Sequence, residues 1–195
     1  MKRLVDIVGS ALGLVVLSPV LVLAAIWVRL DSPGPVLFRQ RRVGKQGRVF
    51  QILKFRTMQL QSGGGSRITV GADPRITRSG RLLRRLKLDE LPQLLNVFVG
   101  DMSLVGPRPE LEYYVSLYPA GARERIMSVR PGVTGLASLA YRNESELLAT
   151  AGDPEKMYLE TILPAKLDYD LKYIDDHTLL LDLRIMARTV GAVFR

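Results

Sequence analysis

The 195-residue chain contains no cysteine and a single histidine, His177. The absence of cysteine excludes disulfide scaffolds, cysteine-ligated zinc and thiol nucleophiles together. One histidine argues against a histidine-rich metal site and against a Ser-His-Asp triad. Any chemistry that this chain performs must therefore rest mainly on carboxylates and cations.

Acidic residues are scarce in the first part of the chain. Residues 1–60 contain ten lysines and arginines but two acids, whereas residues 131–195 contain seven and ten, and the whole chain carries a formal charge of +9. This basic excess suits nucleic acid, an anionic membrane surface or phosphorylated substrates, and composition does not choose among them. A hydrophobic fraction of 47% excludes a disordered chain and predicts a sizeable core.

Residues 7–28 form a run without charge, roughly 33 Å long as a helix and thus long enough to cross a bilayer. The run is too long for the apolar region of a cleaved signal peptide, and a buried helix of a soluble protein is the weaker alternative. Pro19 predicts a kink at Ser18-Pro19, where the Ser18 hydroxyl can bond a freed carbonyl. Cations flank both ends, so the positive-inside tendency draws both to the cytoplasm. The residues fit a re-entrant helix and a Pro-kinked spanning helix equally well.

After this run, the turn-rich residues 31–35 are predicted to end the helix. Residues 36–38 and 49–55 are predicted to form strands of a hairpin around a basic stretch. Residues 61–66, with three consecutive glycines, are predicted to form a mobile loop.

Two further segments have amphipathic helical patterns. Residues 81–87 suit lipid headgroups and solvent about equally. Residues 179–194 suit packing on the core slightly better than a position on the membrane.

The densest group of polar and rigid residues lies between positions 86 and 110. Asp89 and Glu90 precede Leu91-Pro92, which predicts a helix with Asp89 as its N-cap, since proline is tolerated in a first turn. That position would keep Asp89 ionised and place free N–H groups near a phosphate. Adjacent carboxylates point in different directions, so one can attack while the other holds a divalent cation. A helix cap followed by a favourable first-turn charge is the simpler alternative.

Pro107-Arg108-Pro109 is predicted to form a rigid loop around one guanidinium, which can bind a phosphate through two hydrogen bonds. Lys54, Arg56 and Arg130 add cations that can converge on a diphosphate. For each of these residues, a surface turn or a solvated surface cation is the alternative.

The order of these segments is more specific than any one of them. Ser18-Pro19 in a hydrophobic segment is followed by KFRTM from residue 54, LDELPQLLNV from 88, GDMSLVGPRPE from 100, VRPGVTG from 129 and LDLRIM from 181. In this combination the chain resembles the bacterial sugar transferases, specifically the small monotopic polyprenyl-phosphate phosphoglycosyl transferases. The resemblance covers nearly the whole chain, which looks like the minimal catalytic form.

The resemblance implies a membrane enzyme that transfers a sugar 1-phosphate from a nucleotide diphosphate sugar, usually a UDP-sugar, to undecaprenyl phosphate and releases UMP. It implies that Asp89 is the nucleophile of a covalent phosphosugar intermediate and that Glu90 assists with Mg²⁺, so that both carboxylates are candidate metal ligands. It assigns Pro107-Arg108-Pro109 to the nucleotide site. It also implies that the N-terminal segment is re-entrant and broken at Ser18-Pro19.

We therefore expect an α-rich α+β protein of the bacterial inner membrane. A re-entrant helix is expected over residues 1–30, and a compact cytoplasmic catalytic domain, with a small β-hairpin and interfacial amphipathic helices, over residues 31–195. The expected partners are a UDP-sugar, undecaprenyl phosphate and membrane lipids, without nucleic acid, and a homodimer is left open. Residues 141–163 match no specificity pattern, so the sugar is left open as well.

The alternatives from other classes are a membrane-anchored basic nucleic-acid-binding protein and a scaffold for glycan assembly. The basic segments lack the interleaved aromatic residues on which single-stranded nucleic acids stack. The nucleic-acid alternative also leaves the Asp89-Glu90 pair unexplained. Mg²⁺-dependent release of UMP from UDP-sugars would separate the enzyme from both.

Overall fold

The computed structural model describes residues 1–59, 70–71 and 73–193, so the predicted loop at residues 61–66 lies outside the described residues. Helices dominate, and the strands form two small pairs, in agreement with an α-rich fold that carries a little sheet. The helices are α1 Lys2–Val16, α2 Ser18–Asp31, α3 Arg78–Arg85, α4 Gln93–Val99, α5 Glu112–Ser116, α6 Ala120–Met127, α7 Leu136–Ala140, α8 Glu144–Ala149, α9 Pro154–Met157, α10 Leu163–Asp175 and α11 Leu179–Val193. The strands are β1 Leu37–Val43, β2 Val49–Phe55, β3 Ser103–Val105 and β4 Gly132–Thr134.

The first two helices are separated by a sharp bend at Leu17. Within the described residues no single helix is long and apolar enough to cross a membrane, and α1 and α2 meet that test only as a pair bent by 62°. Pro19 lacks the N–H that would bond the carbonyl of Val15, and the Ser18 hydroxyl donates to that carbonyl instead, at 2.8 Å. The predicted kink and its serine contact are both confirmed.

In α1, polar residues are buried and large apolar residues are exposed, the reverse of the pattern in a helix of a soluble protein. Its buried residues are Asp6 and Ser10. Asp6 Oδ1 accepts hydrogen bonds from Ser103 Oγ and from the backbone N–H of Leu104, both at 2.9 Å. Large apolar side chains of α1 and α2 are exposed: Leu4, Val5, Val8, Leu12, Val15, Val16, Val20, Val22, Leu23, Ile26, Trp27 and Leu30. Helix α1 thus attaches to the rest of the molecule partly through buried polar contacts, whereas α2 packs Ala24 and Val28 against Phe55 and Leu83. Together the two helices leave an apolar face uncovered.

Strands β1 and β2 form the predicted antiparallel hairpin, with Leu37 opposite Phe55 and Val43 opposite Val49. The first strand is longer than the predicted residues 36–38, because backbone pairing continues through the basic stretch where the side-chain pattern gave no strand signal. On the other edge of β2, the Asn96 side chain accepts from the backbone N–H of Leu53 at 3.0 Å and donates to the carbonyl of Gln51 at 2.8 Å. An amide from α4 therefore takes the place of a further strand and fixes α4 beside the hairpin.

The C-terminal helix packs on the core, as the sequence slightly favoured. Ile185 is buried, and buried Asp182 accepts a hydrogen bond from Tyr173 Oη at 2.7 Å. Leu180 and Leu183, on other faces of the helix, are more than half exposed. Only part of the apolar pattern of α11 is therefore satisfied within the chain.

Candidate active site

Asp89 and Glu90 lie in a single turn of 3-10 helix, Leu88–Glu90, and not at the start of a regular helix. The prediction that Asp89 is an N-cap is wrong. The backbone N–H of Leu91 bonds back to the carbonyl of Leu88 at 3.2 Å, so Asp89 is inside a closed turn and lacks the extended backbone of a capping residue. Helix α4 begins after Pro92, which takes the N-cap position. The turn is entered from Lys87 with a φ of 55°, a left-handed conformation that costs about 1 kcal/mol for a side chain other than glycine.

The Asp89 carboxylate is buried but incompletely bonded. Asp89 is only 8% exposed, and its Oδ1 accepts no hydrogen bond from any described residue. Burial raises the pKa of Asp89 and the Glu90 charge raises it further, whereas Lys54 and Arg84 lower it. A carboxylate of raised basicity with a free oxygen is suited to nucleophilic attack or to metal binding.

Glu90, in contrast, is fully engaged by two cations. Its Oε1 accepts from Lys54 Nζ at 2.8 Å and from Arg108 Nη2, and its Oε2 accepts from Arg108 Nη1 at 3.2 Å. Burial by itself would raise the pKa of Glu90, but Arg108 and Lys54 hold it well below the usual range. Glu90 raises the pKa of Arg108, while burial lowers that of Lys54 despite the same partner. Glu90 therefore brings together a cation from β2 and a cation from the loop after β3.

The loop that carries Arg108 is held by backbone contacts to β4. The N–H of Gly106 donates to the carbonyl of Thr134 at 2.9 Å, and the N–H of Gly132 donates to the carbonyl of Pro107 at 2.8 Å. A Cβ atom on Gly132 would lie 2.1 Å from the nitrogen of Gly106, so the two segments can approach this closely only because Gly132 has no side chain. With prolines on both sides of Arg108, the guanidinium is presented to Glu90 from a fixed backbone.

Directly behind this loop lies a second group of buried charges, centred on Glu110, that the sequence did not reveal. Glu110 Oε2 accepts from Arg42 at 3.2 Å, and Oε1 accepts from Tyr158 Oη at 3.1 Å and from Lys166 Nζ at 3.0 Å. Burial would raise the pKa of Glu110, but Lys166 and Arg42 hold it down to about 2. Tyr158 starts a turn of π-helix, Tyr158–Ile162, a geometry frequent at functional sites. The signal that could have found this group is Lys166 itself, a charged residue at helical spacing from the apolar Leu163 and Leu167.

Two of the four cations expected to converge on a diphosphate lie elsewhere. Arg56 Nη2 donates to the carbonyls of Val28 and Ser32, at 3.3 and 2.6 Å, and so fastens the end of α2. Arg130 Nε donates to the carbonyl of Gly100 at 2.8 Å, where it completes the end of α4. Both guanidiniums bond carbonyls at or just beyond the C-terminal end of a helix, where intrahelical partners are lacking. Lys54 and Arg108 are the pair that the fold brings to the Asp89-Glu90 turn.

Magnesium fits this site in one restricted way. Among the described residues there is no group of three acidic or histidine side chains that could hold a metal. Both oxygens of Glu90 accept from cations, whereas Asp89 Oδ1 has no partner in the part of the chain that the structure describes. Mg²⁺ commonly binds through one or two carboxylates together with substrate phosphates. The donor set therefore fits a metal that is shared between Asp89 and a phosphorylated substrate, and not one held by the protein alone.

Comparison with known proteins agrees with the resemblance seen in the sequence. A family model described as bacterial sugar transferase matches residues 1–195. The chain belongs to this family. It is 43% identical to a UDP-glucose:undecaprenyl-phosphate glucose-1-phosphate transferase of Caulobacter vibrioides, over 98% of this chain and 69% of that protein. It is 40% identical to the exopolysaccharide production protein PSS of Rhizobium leguminosarum bv. phaseoli, over 97% of this chain and 93% of that protein.

Some relatives are much longer proteins, and this chain matches only part of their length. A UDP-glucose:undecaprenyl-phosphate glucose-1-phosphate transferase of Escherichia coli is 38% identical over 97% of this chain, which spans 39% of that protein. Family membership favours a transferase over the nucleic-acid-binding and scaffold alternatives.

Proposed function

We propose that this sugar transferase moves a sugar 1-phosphate from a UDP-sugar to undecaprenyl phosphate, by way of a covalent intermediate on Asp89. The observation that carries the proposal is the free Oδ1 of Asp89, held in a buried turn beside the ion pairs of Glu90 with Lys54 and Arg108. The classes of donor and acceptor are taken from the names of the relatives.

In the first half-reaction, Asp89 attacks the phosphorus that bears the sugar. A bond forms between Asp89 Oδ1 and phosphorus, the bond from phosphorus to the bridging oxygen breaks, and UMP leaves with the electron pair. Lys54 and Arg108 bind the diphosphate and offset the charge that develops on UMP. In the second half-reaction, a phosphate oxygen of undecaprenyl phosphate attacks the same phosphorus, which releases the lipid diphosphate sugar and restores the Asp89 carboxylate.

We propose Mg²⁺ as the cofactor, which the phosphates of the donor would hold together with the carboxylate oxygen of Asp89 that does not attack. When bound, the metal would withdraw negative charge from the diphosphate. Glu90 acts through Lys54 and Arg108, which it aligns at the diphosphate, and not as a ligand while both of its oxygens accept from these cations.

We further propose that α1 and α2 form a re-entrant anchor in the bacterial inner membrane, with the remainder facing the cytoplasm. Both ends of the bent pair contact the same globular part. At one end Lys2 Nζ bonds Asp182 at 2.6 Å, and at the other Asp31 accepts from Ser79 Oγ at 2.8 Å. A spanning pair would have its ends on opposite sides of the bilayer, about 30 Å apart. The exposed apolar side chains of both helices supply the surface that lipid would cover.

The mechanism is tested by supplying a UDP-sugar and Mg²⁺ without the lipid acceptor. We expect release of about one UMP per active site and a labelled phosphosugar on Asp89. Screening UDP-glucose and UDP-N-acetylgalactosamine first covers the donors in the relatives' names. Label on Glu90, or UMP that appears only after the acceptor is added, would replace the intermediate by direct displacement.

The topology is tested by labelling single cysteines, which is simple in a chain without native cysteine. We expect Leu4→Cys and Lys45→Cys both to be protected from a membrane-impermeant reagent in intact cells. Labelling at position 4 with protection at position 45 would show a spanning helix. Pro19→Ala should shift some molecules toward that spanning state, because it permits a continuous helix.

A further inference from the structure

Arg108 lies in the field of three carboxylates. Glu90 bonds it directly, and Glu110 and Glu144 also raise the pKa of its guanidinium. A donor diphosphate is itself an anion, so it must compete with these carboxylates for Arg108. The availability of Arg108 therefore depends on what keeps Glu110 and Glu144 occupied.

Lys166 binds both of these carboxylates. Its Nζ donates to Glu110 Oε1 at 3.0 Å and to Glu144 Oε2 at 3.1 Å, and it lies 3.3 Å from Tyr158 Oη. Burial by itself would lower the pKa of Lys166, which is 5% exposed, but Glu110 and Glu144 raise it above the ordinary value. Lys166 thus places a positive charge between Glu110 and Glu144, the two further carboxylates that act on Arg108.

The two acids depend on Lys166 to different degrees. Glu110 has two further partners, Arg42 and Tyr158, which would hold it in place without the lysine. Glu144 is the first residue of the short helix α8, its side chain is 29% exposed, and Lys166 is its one ion-pair partner among the residues that the structure describes. Loss of Lys166 would therefore release Glu144 and leave Glu110 fixed.

We propose that Lys166 is a positioning residue of the donor site, which holds Glu144 away from Arg108 and so keeps the guanidinium available to the diphosphate. The proposal rests on the role of Arg108 given above. Replacing a whole buried ion pair by apolar side chains often leaves a fold as stable, whereas removing one partner destabilises it, so the unfolding of each variant is measured beside its donor binding. The neighbours of Lys166 in α10 include buried Leu163 and Leu167, among which a methionine would pack.

The experiment compares Lys166→Met, Lys166→Arg, Glu144→Gln and the double variant Lys166→Met/Glu144→Gln in the full chain. We expect Lys166→Met to raise the KM for the UDP-sugar about tenfold, with a smaller change in kcat, because a freed carboxylate competes with the donor. The double variant should return KM to within about twofold of the wild type, since the competing charge is gone. Lys166→Arg should retain most of the donor affinity.

A purely structural role predicts the opposite pattern. Removing both members of a contact does not repair a fold, so a double variant as impaired as Lys166→Met would overturn the proposal, as would an unchanged KM in Lys166→Met. The thermal unfolding midpoint of each variant, with the exposed Arg125→Met as a control for loss of a cation, separates altered binding from altered folding. Binding of UDP measured by calorimetry should follow the same order. Failure of the wild-type chain to release UMP from any UDP-sugar would refute the proposed function itself. The UDP affinities of the four variants would still show whether Lys166 affects binding at this site.

Discussion

Asp89 and Glu110 are equally buried, at 8% exposure each, yet their surroundings are opposite. Glu110 is bound by Arg42, Tyr158 and Lys166, and its pKa falls to about 2. Asp89 keeps one oxygen without a partner among the residues described, and burial raises its pKa. The protein thus satisfies one buried carboxylate fully and leaves the other, the proposed nucleophile, incompletely bonded at a cost in stability, a division typical of active sites.

The largest expected effect comes from Asp89→Asn. An amide cannot form the acyl phosphate, so activity should fall by at least about a thousandfold, roughly 4 kcal/mol in barrier. The same change removes a buried charge that lacks a full set of partners, so the fold should become more stable, by on the order of 1 kcal/mol. UMP release and the thermal unfolding midpoint measure the two effects. An Asn variant that is active or strongly destabilised would show that Asp89 is not the nucleophile or that its charge is well compensated.

Arg108→Ala should have the next largest effect. Loss of a charged donor at a desolvated phosphate site costs on the order of 2 to 5 kcal/mol, seen as a fall in kcat/KM for the UDP-sugar. Arg130→Ala is the matched control, because its guanidinium bonds the carbonyl of Gly100 and not Glu90. Equal losses of donor use in the two variants would mean that Arg108 has no special role.

The ion pairs of Glu110 predict that the fold is less stable in acid. Because the folded-state pKa of about 2 lies below the ordinary 4.5, Glu110 contributes stability above pH 4.5 that is lost as the pH falls toward 2. The full contribution is about 3 kcal/mol. Unfolding measured from pH 6 to pH 3 should therefore depend less steeply on pH in Glu110→Gln than in the wild type. Identical slopes would show that other carboxylates govern the acid transition.

The smallest effect is expected at the exposed ion pair between Arg125 and Asp175. Both side chains are about half exposed to solvent, so Arg125→Ala should change the free energy of unfolding by less than about 0.5 kcal/mol. A loss as large as that of Glu110→Gln would mean that burial is not what distinguishes the Glu110 cluster from surface pairs. Chemical denaturation of the two variants in parallel makes the measurement.

Local features of the fold were predictable from the sequence. The bend at Ser18-Pro19 follows from a missing N–H and a ring clash that act within one helical turn. The hairpin follows from a glycine-containing turn between two apolar segments. The Asp89-Glu90 pair stood out because both acids precede a proline, but the same local signal predicted an N-cap that the closed turn at Leu88–Glu90 replaces.

By itself, the sequence determined which chemistry is available: no thiol, one histidine, a kinked apolar segment, an acidic pair and an arginine between two prolines. Only the tertiary structure decided which groups meet. It pairs Glu90 with Lys54 across 36 positions and Glu110 with Lys166 across 56, and it directs Arg56 and Arg130 to helix ends. The physical reason is range. Backbone sterics and periodicity act over a few residues, whereas burial and charge depend on every segment that packs around a group. The incompletely bonded Asp89 and the fully bonded Glu110 are therefore distinguished only once the chain has folded.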